Sequence, residues 1–196
     1  MRSIAKLLEK DRRDLFRAAS QKMGVHEAII EKDFWVCWLL DILFHDSPWK
    51  ERMAFKGGTS LSKAYHAIER FSEDIDLILD WRLLGYSLAS PWEQRSANQQ
   101  DRFSKEANQR TADFLASDLV PGILPTLANL AGDELGVSVK GQDVFIRYPK
   151  AFSLSSAQPE IRLEIGPMAG WTPNAPRIIR PYAADHFPQV FTQAET

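Results

Sequence analysis

The segment from Met53 to Asp80 constrains this chain more than any other, because it reads as a strand, a glycine turn, a helix and an acidic strand in immediate succession. Met53-Ala-Phe-Lys56 is a short strand, and Gly57-Gly58 breaks it. Thr59 or Ser60 can then cap a helix running through Leu61, Ala64, Tyr65 and Ile68. In Asp74-Ile-Asp-Leu-Ile-Leu-Asp80, the apolar Ile75, Leu77 and Leu79 alternate with Asp74, Asp76, Ile78 and Asp80. The spacing predicts a strand with one buried and one acidic face.

Carboxylates two residues apart on a strand project from the same face and repel each other unless a cation or a shared proton lies between them. Taken alone, Asp74 and Asp76 fit a solvated edge strand as well as a metal site. Gly57-Gly58-Thr59-Ser60 is equally open by itself: it is either an ordinary turn and cap, or a cradle whose free N–H groups and helix dipole suit a phosphate. The order of the two is more specific, because a phosphate cradle, a helix and an acidic strand together suit nucleotidyl transfer. In that reaction the cradle holds the β- and γ-phosphates of a nucleoside triphosphate (NTP), and carboxylates hold two Mg²⁺ ions. A third carboxylate should come from a neighbouring strand with an apolar-acid-apolar pattern, and Leu163-Glu164-Ile165 has it. Glu164 is thus a candidate third ligand, or a surface partner of Arg162 or Arg147.

The rest of the chain supplies the setting. Ser3 is expected to cap a first helix through Ile4, Leu7, Leu8, Leu15, Phe16 and Ala19, with Gly24 as its stop. A second helix is expected from about His26 to Phe44, with Glu31, Lys32, Asp33 and Asp41 on its wetter side and Trp35 and Trp38 in the core. From about 91 to 130 the chain turns polar and helix-prone, with Pro121, Gly122 and Pro125 bending or breaking the run. Strands return at Val137–Lys140, Val144–Tyr148 and Glu160–Ile165, the first two joined by a Gly141-Gln142 hairpin turn. No terminating helix or strand is expected beyond Gly166. The fold class is α+β: a mixed or antiparallel sheet flanked by helices, with residues 1–50 as an N-terminal helical segment on a core of 51–196.

With 24 Lys and Arg against 26 Asp and Glu, the net charge of -2 gives no global attraction to nucleic acid, so a polyanion must be held by a local patch. Charged residues interrupt the apolar positions of the N-terminus, and no stretch reads as a membrane span; the expected compartment is the cytoplasm. The single cysteine, Cys37, lies in the apolar run Phe34-Trp-Val-Cys-Trp-Leu-Leu40 and reads as a buried thiol, not a nucleophile.

Phe55-Lys-Gly-Gly-Thr-Ser-Leu-Ser-Lys63, followed by Arg70-Phe-Ser-Glu-Asp-Ile-Asp-Leu77, resembles the signature of the AbiEii/AbiGii-type toxin nucleotidyltransferases, and Ile30-Glu-Lys-Asp33 resembles an upstream element of that family. The resemblance implies a DNA polymerase β-like core and a role as the toxin of a bacterial toxin–antitoxin or abortive-infection pair. It also implies transfer of nucleotides from an NTP to an RNA acceptor, tRNA in some relatives. By position it makes Asp74 and Asp76 metal ligands, Gly57, Gly58, Thr59 and Ser60 the phosphate loop, and Lys63 a triphosphate contact. Lys56 and Arg70 are weaker candidates for that contact, or solvated element ends. Relatives usually continue into a C-terminal helical region with a further basic and acidic motif, which is expected to be missing here. Two alternatives stand beside this reading: the same core modifying a small molecule or a protein hydroxyl, and a partner-binding module that does no chemistry.

Overall fold

The computed structural model describes residues 1–68, 74–132, 134–153, 160–167, 174–188 and 194–195; Arg70 lies outside them. The chain opens with two helices where one was expected, α1 (Arg2–Ala5) and α2 (Glu9–Met23). The break is filled by Arg12, whose Nη1 donates to Leu7 O at 2.6 Å and Ala5 O at 3.4 Å, so a side chain satisfies carbonyls that a continuous helix would have used. Ser3 therefore lies inside α1 and caps nothing. Gly24 ends α2 in the left-handed conformation, with φ 67°.

Helix α3 (Glu27–Asp41) is capped by His26, whose Nδ1 accepts from Ala28 N, and it runs on into a π-helical turn, Ile42–Asp46. Its Glu31, Lys32 and Asp33 are buried, not wet. The reason is tertiary: Glu31 accepts the backbone N–H groups of Ala151 at 2.7 Å and Phe152 at 3.0 Å, and Asp33 accepts that of Tyr182 at 2.6 Å. Later segments of the chain cover the polar side of the helix and use its carboxylates as acceptors.

Strand β1 (Met53–Lys56) leads into α4 (Gly57–Lys63), and β2 (Ile75–Leu79) follows. Next come α5 (Ala97–Phe114), a π-helical stretch at Leu115–Leu119 and α6 (Val120–Ala131). The prolines do not break this run. Pro121 falls in the first turn of α6, Pro125 is exposed so that the carbonyl it frees can meet water, and a side chain on Gly122 would collide with the Trp49 ring. By length and composition the run 97–131 is apolar enough to cross a membrane, against the expectation that no stretch reads as a membrane span. Here Leu115, Leu119, Ile123 and Leu127 are buried at four-residue intervals and join the common core.

Three strands complete the main sheet: β3 (Gly136–Lys140), β4 (Asp143–Arg147) and β5 (Glu160–Gly166). Its order is β1-β2-β5-β4-β3; β2 and β5 are parallel and the other neighbours antiparallel, so the sheet is mixed. Beyond Gly166, where no terminating helix or strand is expected, a small antiparallel pair forms, β6 (Ile178–Ile179) against β7 (Ala194–Glu195).

Burial fixes which way this sheet faces. Ile75, Leu77, Leu79, Val144, Ile146, Ile161, Leu163 and Ile165 are fully buried and share one cluster with Phe34, Trp35 and Trp38 of α3. Each such chain contributes roughly 1.5–3 kcal/mol on burial, so a one-residue slip, which would turn a whole strand's set outward, is strongly disfavoured. The polar residues between them must line the opposite face.

Candidate active site

On that opposite face the strand registers set Lys56 beside Asp76, Asp76 beside Glu164, and Glu164 beside Asp143. A row of three carboxylates thus crosses β2, β5 and β4, with a lysine at its edge. The structure brings Glu164 next to Asp76, with its side chain exposed and Asp76 half-buried, and Asp74 immediately precedes β2. Partial burial, then the charges of Glu164 and Asp74, push the Asp76 carboxyl above its ordinary value, against the opposing pull of Lys56 and Arg162.

The glycine turn is shaped around this row. Gly57 has φ 75°, and a Cβ built there would come within 2.8 Å of Asp76 Cβ and closer still to its carboxylate. Glycine is required on two grounds, backbone conformation and space. The Thr59 hydroxyl, 1% exposed, donates to Asp74 O and so staples the start of α4 to the start of the acidic strand. Thr59 therefore holds the glycine turn in place, while the first-turn N–H groups of the helix have no partner within it. Ser60 is also buried.

Lys63 departs from its expected role as a triphosphate contact. It is 6% exposed; its Nζ forms an ion pair with Asp33, donates to Arg180 O at 3.2 Å and lies 3.4 Å from the Tyr182 ring centroid. Six residues after Gly57 at about 100° per residue, it has rotated well away from the side of α4 that Gly57 presents to Asp76. Burial pulls its pKa down most strongly, but the charge and hydrogen bond of Asp33 together with the nearby Cys37 and Tyr182 groups outweigh burial and hold it above the ordinary value.

Asp80, read from sequence as part of the acidic face, is 3% exposed and works at the other end of β2. It caps the following turn through Arg82 N at 3.0 Å and accepts from Arg52 Nη1 at 2.8 Å. Burial alone would raise it, yet the hydrogen bonds from Arg82 and Arg52 bring its pKa down to about 2. The Cys37 thiol, fully buried, is pushed up to about 12, which excludes a thiolate nucleophile.

Asp143 was missed from sequence. It begins β4 and meets Glu164 through Arg162, whose Nη2 lies 2.9 Å from Asp143 and 3.3 Å from Glu164. The Gly141-Gln142 turn marks it as a strand start, but only the β4–β5 register brings it to this row. The donors suit Mg²⁺, since all are hard carboxylate oxygens, and their mutual repulsion at Asp76 is what a bound cation would relieve. Among the described residues, however, no three His, Cys, Asp or Glu side chains stand ready as a cage, because Glu164 is turned to Arg162.

Comparison with curated proteins and with solved structures returned no match. A family model does match, over residues 38–196, and its description is nucleotidyl transferase AbiEii toxin of a type IV toxin–antitoxin system. The matched span contains β1, the glycine turn, Asp74, Asp76 and Glu164; Glu31, Lys32 and Asp33 precede it. With most of its length matched and its glycine turn packed on the acidic strand, the chain belongs to the AbiEii family of nucleotidyl transferase toxins, which places it with an antitoxin partner.

Proposed function

We propose that this protein transfers a nucleotide from an NTP to an RNA acceptor, as the toxin of its pair, with Asp74, Asp76 and Glu164 holding two Mg²⁺ ions. The observation that carries this reading is the seating of Asp76 on Gly57, which puts the acidic row directly against the start of α4. Phosphates at Gly57, Gly58, Thr59 and Ser60 would lie beside those carboxylates. When bound, the ions would polarise the α-phosphate and offset the charge of the departing pyrophosphate.

The chain's own residues do the rest. Lys56, opposite Asp76, is placed to balance triphosphate charge. Glu164 must swing from Arg162 to serve as a ligand, and from there it can accept the proton of the acceptor hydroxyl. Arg162 stays held by Asp143, so freeing Glu164 leaves no unpaired cation.

Incubation with each labelled NTP, Mg²⁺ and total cellular RNA tests the proposal. Label in RNA that disappears with EDTA is expected. Label in a protein or a small molecule instead would select a different acceptor on the same core, and transfer to none of them would favour a binding module.

A further inference from the structure

We propose that the cavity beside α4 is the nucleoside pocket of this site: it takes the base and sugar of an NTP whose phosphates lie at Lys56 and Ser60. This rests on the nucleotidyl-transfer reading and adds where the organic part of the substrate goes.

The cavity has a volume of about 640 Å³, within the roughly 300–1,000 Å³ typical of small-molecule sites. It adjoins the acidic row: Lys56, which lines it together with Ser60, is the register partner of Asp76. From Ser60 it follows α4 to Ala64 and Tyr65, just past its end, about 6 Å from Ser60 to Ala64, the right scale to carry a ligand from its phosphates to its base. Ala54 and Ile78, cross-strand neighbours, line the sheet side, and the small Ala54 leaves depth there.

The lining sorts by chemistry. Phe44, Phe55 and Tyr65 offer aromatic surface for a base. Lys50, Lys56 and Arg177 outnumber the one carboxylate, Glu51, and give the local positive patch that the whole chain lacks. The Arg177 guanidinium lies 5.0 Å from the Tyr65 ring centroid, so the rim presents a cation and an aromatic face together. A cationic, aromatic-walled cavity that reaches Lys56, beside Asp76, fits an NTP better than a bare phosphate. The acceptor is left to approach over the exposed Glu164.

Titration calorimetry in Mg²⁺ with each of the four NTPs and with inorganic tripolyphosphate tests this, using the wild type, Ala64→Phe and Ala54→Leu, each checked for folding by thermal melting. The wild type is expected to bind at least one NTP roughly ten-fold or more tightly than tripolyphosphate, the scale of one base–aromatic stacking contact. Both filled variants should lose that preference and keep their tripolyphosphate affinity. A folded variant that retains the full preference overturns the pocket, as does a wild type that binds tripolyphosphate as well as any NTP. Should both filled variants unfold, Tyr65→Ala, at an exposed position, decides: unchanged NTP preference rejects the assignment. If the wild type binds neither ligand, the transferase reading itself fails, an outcome distinct from failure of the pocket alone.

Discussion

Lys63 and Asp33 form a buried ion pair that ties the helix behind the glycine turn to the central helix α3. Removing one member leaves the other charge in the interior, which typically costs about 3–5 kcal/mol. Asp33→Asn or Lys63→Met should therefore lower the melting temperature by roughly 10 °C, and the double variant Asp33→Asn/Lys63→Met, which removes both charges and keeps an acceptor for Tyr182 N, should recover most of the loss. Thermal denaturation checks this. A Lys63→Met protein with unchanged stability and weakened NTP binding would restore Lys63 as a phosphate contact.

Gly57→Ala should impair transfer far more than stability. Its backbone conformation disfavours any side chain by about 1–2 kcal/mol, but the added methyl must also displace the Asp76 carboxylate. Shifts of about 1 Å at reacting groups can cost 10²-fold in rate. Single-turnover incorporation by a variant shown to be folded is the measurement; wild-type rates would mean that the Asp76 position is immaterial.

Asp76→Asn should abolish transfer and raise stability at neutral pH. The Asp76 pKa is raised by burial and by its acidic neighbours, so its charged form opposes folding. Below the ordinary carboxylate pKa the wild-type group is protonated and nothing is gained; the advantage of Asn grows as pH rises through the elevated value. A partly exposed charge cluster is worth up to about 1 kcal/mol, or about 2–4 °C. Melting curves of both proteins from pH 3 to 8 without metal show whether the two diverge in that direction.

Asp80→Asn should behave in the opposite sense. With its folded pKa held to about 2, the Asp80 carboxylate stabilises the protein above its ordinary pKa, and that contribution is lost as pH falls from about 4 towards 2. The variant should melt lower than wild type at pH 7 while keeping metal binding, and the two curves should converge in acid. A constant difference across that range would assign the effect to packing and not to charge.

Much of the site was legible because its determinants are local. The Gly57-Gly58 turn, the two-residue spacing of Asp74 and Asp76, and the alternation around Glu164 each follow from neighbours a few residues apart. Alternation alone also placed Glu164 on the polar face, since Ile161, Leu163 and Ile165 had to be buried.

What sequence could not supply was every relationship set by docking one element on another. Glu31 and Asp33 are charged residues on a helix, and local rules put them in water; only the arrival of Ala151, Phe152 and Tyr182 made them buried acceptors. Lys63 follows the glycine turn closely in sequence, yet helix rotation and the position of Asp33 turned it inward. Asp143 entered the acidic row through the β4–β5 register, and the cavity exists only because the turn after α3, β1, α4 and the Asn174–Arg177 segment meet around it. Spacing along the chain determined which side chains share a face. Packing between elements decided which of those faces meets water, because burial depends on what is brought from elsewhere in the chain to cover it.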